Sequence, residues 1–196
     1  MIIGSQCWIA ENLAYLPEVN PSSQGNNTDP NYYVYNYQGT SVAEAKATQN
    51  YQTYGVLYNW PASLDACPEG WHLPNDQELV TLIDYMGNQP EYFCNNNSEY
   101  IAKALASTTN WNSHSNTCAV GNDFSSNNAT GYSFPPGGYR STNGSFYNIE
   151  ERGYWWSSTE NSATNAWLRY MNYNSAYVTR YNDSKGYGFS VRCLKD

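Results

Sequence analysis

Five cysteines and two histidines are the most reactive side chains of this sequence. No two cysteines have the Cys-x-x-Cys spacing of a structural zinc site, and two histidines offer few further ligands, so zinc binding is disfavoured. The simplest interpretation is two disulfides and one unpaired thiol, which indicates an oxidising compartment. The cysteines are Cys7, Cys67, Cys94, Cys118 and Cys193.

The two histidines do not belong to a recognisable catalytic set. His72 lies between Trp71 and Leu73, where a hydrogen-bonded structural histidine is a better interpretation than a general base. His114 lies in a polar segment with no carboxylate or nucleophile at a spacing typical of catalysis. We therefore expect no enzymatic activity.

Tyrosine, asparagine and serine are frequent in residues 161–183, as they are through much of the chain. This mixture is typical of antibody-like binding surfaces, because rigid rings supply contact area and short amides supply adaptable hydrogen bonds. A second interpretation is that most of the rings pack in the core or across strands. We predict a ligand-binding surface formed by Asn165, Arg169, Tyr170, Asn172, Tyr173, Asn174, Tyr177, Tyr181 and Asn182.

Composition and charge exclude several classes of partner. Nine Lys and Arg against 17 Asp and Glu give a net charge of −8, and no basic patch is present to neutralise nucleic acid or an anionic membrane. No apolar run approaches the roughly 20 residues of a transmembrane helix. Aromatic residues at 16% exceed charged residues at 13%, which favours a folded chain over a disordered one.

A single domain is predicted over residues 1–196, because no linker-like or charged segment divides the chain and its length suits one core. The first residues, Met1-Ile2-Ile3-Gly4, lack the basic start and the apolar stretch of a signal peptide. If the protein is exported, we expect its leader to lie outside this chain.

Two helices are predicted in the first half of the chain. One begins near Pro61 and runs to about Cys67, because proline suits the first helical turn. The clearer one begins after Asn75, with Glu78 completing a capping box, and Gly87 is predicted to end it in a left-handed conformation. Its apolar stripe is Leu79, Leu82, Ile83 and Met86. A weaker helix is predicted over residues 98–106.

The last third of the chain is predicted to form an antiparallel meander. Strand-like segments separated by turn-forming residues occur at 154–157, 166–171, 176–181 and 187–193. In the last of these, alternate residues from Tyr187 to Cys193 share one face. Helices early and strands late indicate an α+β fold.

Several segments resemble phrases of one known family, in that family's order and across nearly the whole chain. They are residues 6–13, 54–60, 66–74, 136–140, 154–159 and 188–193. On these segments the chain resembles the Fibrobacter succinogenes major paralogous domain, a family of exported bacterial proteins. The resemblance implies an extracellular or cell-surface location.

The resemblance also implies a C-type-lectin-like fold, with two main helices packed on a twisted antiparallel sheet and many loops. The signature disulfide of that fold joins the first helix to the last strand, which implies a Cys67–Cys193 bridge. Closing so long a loop is worth roughly 4–5 kcal/mol. Cys94 and Cys118 would then form a local bridge, and Cys7 would be a small buried apolar residue in the first strand.

Calcium is the one cofactor that the resemblance raises, because C-type lectins hold sugars through it with several converging oxygen ligands. Tyr181-Asn182-Asp183 lies about where those lectins carry Trp-Asn-Asp, but their Glu-Pro-Asn or Gln-Pro-Asp loop is absent. An ordinary turn explains Asn182 and Asp183 equally well. We therefore expect no cofactor, with calcium as the alternative.

The leading hypothesis is a secreted or cell-surface binding module, adhesin-like, that recognises a protein or a glycan through residues near 161–183. Lectin-fold binders use this C-terminal part for recognition. One alternative is a structural domain without a ligand in a larger surface protein. Another is a relative of the formylglycine-generating enzymes, which share the broad fold but use two nearby C-terminal cysteines, whereas only Cys193 lies in that region here.

Overall fold

The computed structural model describes residues 1–196, and its α-helices all lie within the first 105 residues. This part of the chain also contains five strands of two residues each. Its elements are β1 (Ile2–Ile3), β2 (Gln6–Cys7), β3 (Tyr32–Tyr33), α1 (Val42–Ala47), α2 (Gln49–Tyr54), β4 (Leu57–Tyr58), α3 (Trp60–Leu64), β5 (Trp71–His72), α4 (Asp76–Gly87) and α5 (Ala102–Leu105).

The longer strands all lie in the second part of the chain, which confirms the predicted mixture of early helices and late strands. A short 3-10 helix, Phe124–Ser126, precedes them. The strands are β6 (Gly137–Arg140), β7 (Phe146–Ile149), β8 (Arg152–Glu160), β9 (Asn165–Asn172), β10 (Thr179–Ser184) and β11 (Leu194–Lys195). None of the helices combines the length and apolarity that a membrane span requires.

The longest helix, α4, begins as predicted but ends differently. The Asn75 side chain accepts a hydrogen bond from the Glu78 backbone N–H, and the Glu78 carboxylate accepts one from the Asn75 N–H, which completes the capping box. The prediction that Gly87 is a left-handed stop is wrong, because Gly87 is the last helical residue and Asn88 caps the helix with φ −93°. A Cβ at position 87 would lie 2.9 Å from the Ser98 carbonyl oxygen, so glycine permits a close approach here.

The prediction of two main helices is also wrong, because α4 has 12 residues and the next longest helices have 6. The helix expected over residues 98–106 is reduced to α5, mainly because its N-terminal part forms a turn instead. Tyr100 donates its N–H to the Asn97 carbonyl at 2.9 Å, and Ala102 donates its N–H to the Ala176 carbonyl at 3.0 Å. These bonds replace the intrahelical bonds that a longer helix would need.

The main sheet has five strands in the order β10-β9-β8-β6-β7. Its neighbours are antiparallel except β6 and β8, which run parallel, so the prediction of an antiparallel meander holds only for β8, β9 and β10. The parallel pair forms because the short connection at residues 150–151 carries the chain across the end of β6. At the contact, Gly138 has φ +63°, and a Cβ there would overlap the Tyr147 carbonyl oxygen.

Residues 187–193, predicted as the last strand, form an irregular segment instead. It makes single bridges to three different partners: Gly188 with Arg140, Phe189 with Tyr58, and Ser190 with Trp155. No single strand lies beside it for its whole length, because the segment leaves the main sheet to reach β5, where β11 pairs. The predicted alternation of faces is nevertheless present, since Tyr187, Phe189, Val191 and Cys193 all pack in one apolar cluster.

The sheet is covered on both faces by apolar clusters. Trp155 and Met171 pack on one face with the stripe of α4, whereas Trp156 and Leu168 pack on the other face with α3 and Phe189. Neighbouring residues of β8 and β9 therefore contribute to different cores, as strand alternation requires. The side of the sheet on which a residue of β8, β9 or β10 lies decides what it can contact.

Two disulfides join distant parts of this fold. Cys67, just after α3, is bonded to Cys193 with 5.9 Å between their Cα atoms, and Cys94 is bonded to Cys118 with 5.6 Å. Both pairings implied by the family resemblance are confirmed. Cys7 is the free thiol and is half-buried in β2, so it is less enclosed than predicted.

Candidate ligand-binding cleft

A cleft of about 310 Å³ lies on the face of the main sheet opposite α4. Rings form most of its lining, with one acidic and one basic side chain among them. The lining residues are Tyr139, Arg152, Tyr154, Leu168, Tyr170, Tyr181, Asp183, Tyr187 and Phe189. They come from β6, β8, β9, β10 and the irregular segment that follows β10.

Strand register brings these side chains to one face. Tyr154 of β8 is paired with Tyr170 of β9, and Leu168 of β9 is paired with Tyr181 of β10. Directly opposed residues of an antiparallel pair project to the same side of the sheet. Asp183 follows Tyr181 by two residues and therefore lies on this side as well.

The rings form a floor and a wall. Phe189 stacks on Tyr154, with centroids 5.1 Å apart and planes at 15°, and on Tyr187, at 5.6 Å and 17°. Tyr170 extends this floor from Tyr154 at 5.4 Å. Tyr181 stands at 82° to Tyr170 and is 53% exposed, so it forms an open wall beside a mostly buried floor.

The two charged side chains of the cleft have no ion-pair partner. The only hydrogen bond of the Asp183 carboxylate is one accepted from the Ser184 N–H at 2.9 Å, and burial raises the pKa of this carboxyl. Arg152 donates to the Tyr154 hydroxyl at 3.2 Å and lies 5.8 Å from the centre of the Tyr170 ring. Both groups can therefore bind an incoming ligand without first breaking an ion pair.

Most of the phenol hydroxyls in the cleft are also free. The Tyr154 hydroxyl accepts bonds from Arg152 and Asn148, and burial raises its pKa. No hydrogen bond within the protein uses the hydroxyls of Tyr139, Tyr170, Tyr181 and Tyr187. Each can both donate and accept.

The residues predicted from the sequence are divided between the two faces of the sheet. Tyr170 and Tyr181 line the cleft. Asn165, Arg169 and Asn182 lie on the opposite face, where Asn165 donates to the Asn182 side chain at 3.1 Å. Arg169 is buried and donates to the Asp76 carboxylate at 2.6 Å, so it supports the attachment of α4 to the sheet.

The other predicted residues lie at the end of β9 and in the turn that follows it. Tyr173 packs edge-on against His114 at 5.6 Å, and Tyr177 packs edge-on against Tyr100 at 5.1 Å. Asn172 accepts the Asn174 N–H within the turn, and Asn174 is exposed. None of these residues lines the cleft.

Sequence reasoning missed Tyr139, Arg152, Tyr154 and Tyr187 and considered Asp183 only for calcium. Alternation within each strand-like segment indicates which of its residues share a face. The sequence does not show the register between segments, which decides which of these faces meet. Asn182 and Asp183 project to opposite faces of β10. No group of three or more His, Cys, Asp or Glu side chains is present. The expectation of no cofactor, with calcium as the alternative, stays a prediction.

Comparison with known proteins identifies the family of the chain. The model of the Fibrobacter succinogenes major domain matches residues 1–195. No curated protein and no solved structure matched the chain. Because the family model spans nearly its whole length, this chain belongs to the Fibrobacter succinogenes major domain family.

Proposed function

We propose that this chain is a binding module without catalytic activity, secreted or displayed on the cell surface, that recognises a protein or a glycan. The observation that carries the proposal is the cleft, in which one exposed and several half-buried rings are combined with an acidic and a basic side chain that have no ion-pair partner. Aromatic surface with a few convergent polar groups is the usual make-up of a ligand site.

The two disulfides of the chain support an extracellular role. Two disulfides are present, and such bonds persist in oxidising compartments. The Cys67–Cys193 bridge, which ties α3 to the C-terminal segment, also supports a C-type-lectin-like arrangement of the fold. The cleft lies on the sheet that this bridge braces, so the rings are held in place before a ligand arrives.

The alternatives each lack a supporting observation. A purely structural domain does not explain why Asp183 and Arg152 face a cleft without ion-pair partners. A relative of the formylglycine-generating enzymes would need two reactive C-terminal cysteines, whereas Cys193 is bonded to Cys67.

The test is saturable binding of the labelled chain to arrays of immobilised glycans and extracellular matrix proteins. We expect at least one saturable interaction that unlabelled chain competes and that changes little with salt, because rings and neutral hydroxyls supply the contacts. Tyr181→Ala should reduce it. Absence of saturable binding on every surface would favour the structural alternative.

A further inference from the structure

The ligand class can be narrowed from the hydrogen-bonding groups that the cleft leaves free. Four phenol hydroxyls can donate or accept, the Asp183 carboxylate accepts, and Arg152 donates. A ligand that satisfies them must carry donors and acceptors together at close intervals. It must also offer apolar faces to the rings.

The accessible rings of the cleft can contact an apolar face of a ligand. Tyr154 and Phe189 stack on each other and are only 7% and 1% exposed, so ligand contact falls to the half-buried Tyr170 and Tyr187 and to the exposed Tyr181. The π face of an aromatic ring is electronegative and attracts polarised C–H groups. A pyranose ring presents such C–H groups on its faces and hydroxyls around its edge.

The length of the cleft indicates more than one sugar ring. Asp183 is paired with Ala166 of β9, and Arg152 is paired with Asn172 of the same strand. The Arg152 guanidinium reaches back to 5.8 Å from the centre of the Tyr170 ring. Four positions of β9 separate Tyr170 from Ala166, which corresponds to about 13 Å at roughly 3.3 Å per residue. The acidic and basic groups therefore lie toward opposite ends of a row of rings.

We propose that the cleft binds a neutral oligosaccharide of two or more pyranose residues, packed against Tyr170, Tyr181 and Tyr187, with Asp183 accepting hydrogen bonds from its hydroxyls. This inference rests on the proposed function. The net charge of −8 disfavours acidic glycans. Within the cleft, one acidic and one basic group balance each other, which suits an uncharged ligand.

Proline-rich peptides are the main competing class, because they also dock on aromatic grooves. Proline has no backbone N–H, however, and each proline therefore removes a donor that Asp183 could use. The hydroxyl groups of a sugar supply such donors at every ring. The free hydroxyls of the cleft thus favour the glycan.

The test is isothermal titration of the purified chain with neutral oligosaccharides of two to six residues, prepared from β-glucan, mannan, xylan, galactan and chitin. A proline-rich peptide is titrated in parallel. We expect binding of at least one oligosaccharide, unchanged by EDTA. Tyr181→Ala should weaken it by about tenfold, as expected for loss of one ring contact, and Asp183→Asn should also weaken it.

The matched control is Tyr15→Ala. Tyr15 is 51% exposed, close to the 53% of Tyr181, but it does not line the cleft. This variant should bind within about twofold of the unmodified chain. Thermal melting of all three variants should show that they fold, because none of the three positions lies in the core.

The outcomes separate the ligand class from the proposed function. If an oligosaccharide binds but Tyr181→Ala binds it equally well, the proposed site is wrong. If no oligosaccharide binds, or only the peptide does, the glycan assignment is wrong, while array binding that depends on Tyr181 would still support a binding module. If the array is also blank, both proposals fail.

Discussion

At the residue scale, Asp76 is the charge that joins α4 to the sheet. Its carboxylate accepts bonds from Arg169 at 2.6 Å and from Arg180 at 2.8 Å. Burial would raise the pKa of Asp76, but the hydrogen bonds from Arg180 and Arg169 outweigh burial and lower it. Because Arg169 is buried, its guanidinium depends on this carboxylate.

Asp76→Ala should therefore lower the free energy of unfolding by about 3–5 kcal/mol, the usual cost of leaving a buried charge unpaired. The control is Arg180→Ala. The Arg180 side chain is 45% exposed, and although it stacks on Trp167 at 3.4 Å, its loss should cost only about 1 kcal/mol. Denaturant titration measures both, and equal losses would contradict the assigned role of Arg169.

His72 provides a pH-dependent contact. Its Nδ1 lies 2.6 Å from Asp196 and its Nε2 lies 3.0 Å from Glu78, so both nitrogens donate only when the ring is protonated. Burial lowers the pKa of His72, but the hydrogen bonds to Asp196 and Glu78 outweigh burial and raise it above 6.5.

Because the pKa of His72 is raised by folding, this contact stabilises the fold fully at pH values below the pKa of the unfolded state. The stabilisation is lost as pH rises through the pKa of the folded state. We expect the melting temperature of the unmodified chain to fall more than that of His72→Gln between about pH 5.5 and 8.5. The effect should be small because the pair is partly exposed. NMR titration should give His72 a midpoint above 6.5, and a lower midpoint would contradict the ion pairs.

At the scale of elements, α4 was predictable because its signals are local. Asn75, Glu78 and the apolar stripe lie within 12 residues, and the structure contains the capping box they predict. The segment 187–193 was not predictable as irregular, because its partners lie at Arg140, Tyr58 and Trp155. Its alternation is visible in the sequence, but what it pairs with is decided by tertiary structure.

The capping box provides a test at this scale. Asn75→Ala removes the acceptor for the Glu78 N–H and should lower the free energy of unfolding by about 1 kcal/mol. Thr81→Ala, at an exposed position within the same helix, should change it by no more than about 0.5 kcal/mol. Comparable losses for the two variants would show that the cap does not stabilise α4.

At the scale of the whole molecule, the two disulfides differ in the span they close. Cys67–Cys193 joins residues 126 apart, and Cys94–Cys118 joins residues 24 apart. In the chain-entropy model these loops are worth about 5 and about 3.5 kcal/mol. The longer bridge therefore holds the helical part of the chain to its C-terminal segment.

Cys193→Ser should destabilise the chain by several kcal/mol, and by more than Cys94→Ser. Thiol titration of the denatured, unreduced protein should find one free thiol, Cys7, in the unmodified chain and two in each variant. An unchanged melting temperature in Cys193→Ser would show that the long bridge does not stabilise the fold. Three free thiols in the unmodified chain would contradict one of the two bridges, and five would contradict both.

The cleft could be predicted only in part, for a reason that belongs to the whole molecule. The sequence indicated Tyr170 and Tyr181, because the surrounding segment has the composition of a binding surface. Tyr139 and Tyr187 join them only through the order of the sheet and the return of the irregular segment. Arg169 was wrongly predicted to contact the ligand. Its burial against Asp76 depends on the packing of α4, which composition does not reveal.

The alternation along β10 makes this edge strand a natural place to engineer new specificity. Tyr181 and Asp183 face the cleft, while Arg180 and Asn182 face the side where α4 is anchored. Positions 181 and 183 can therefore be randomised together in a display library, with 180 and 182 held constant. Selected variants should differ in what they capture while keeping the thermal stability of the parent scaffold.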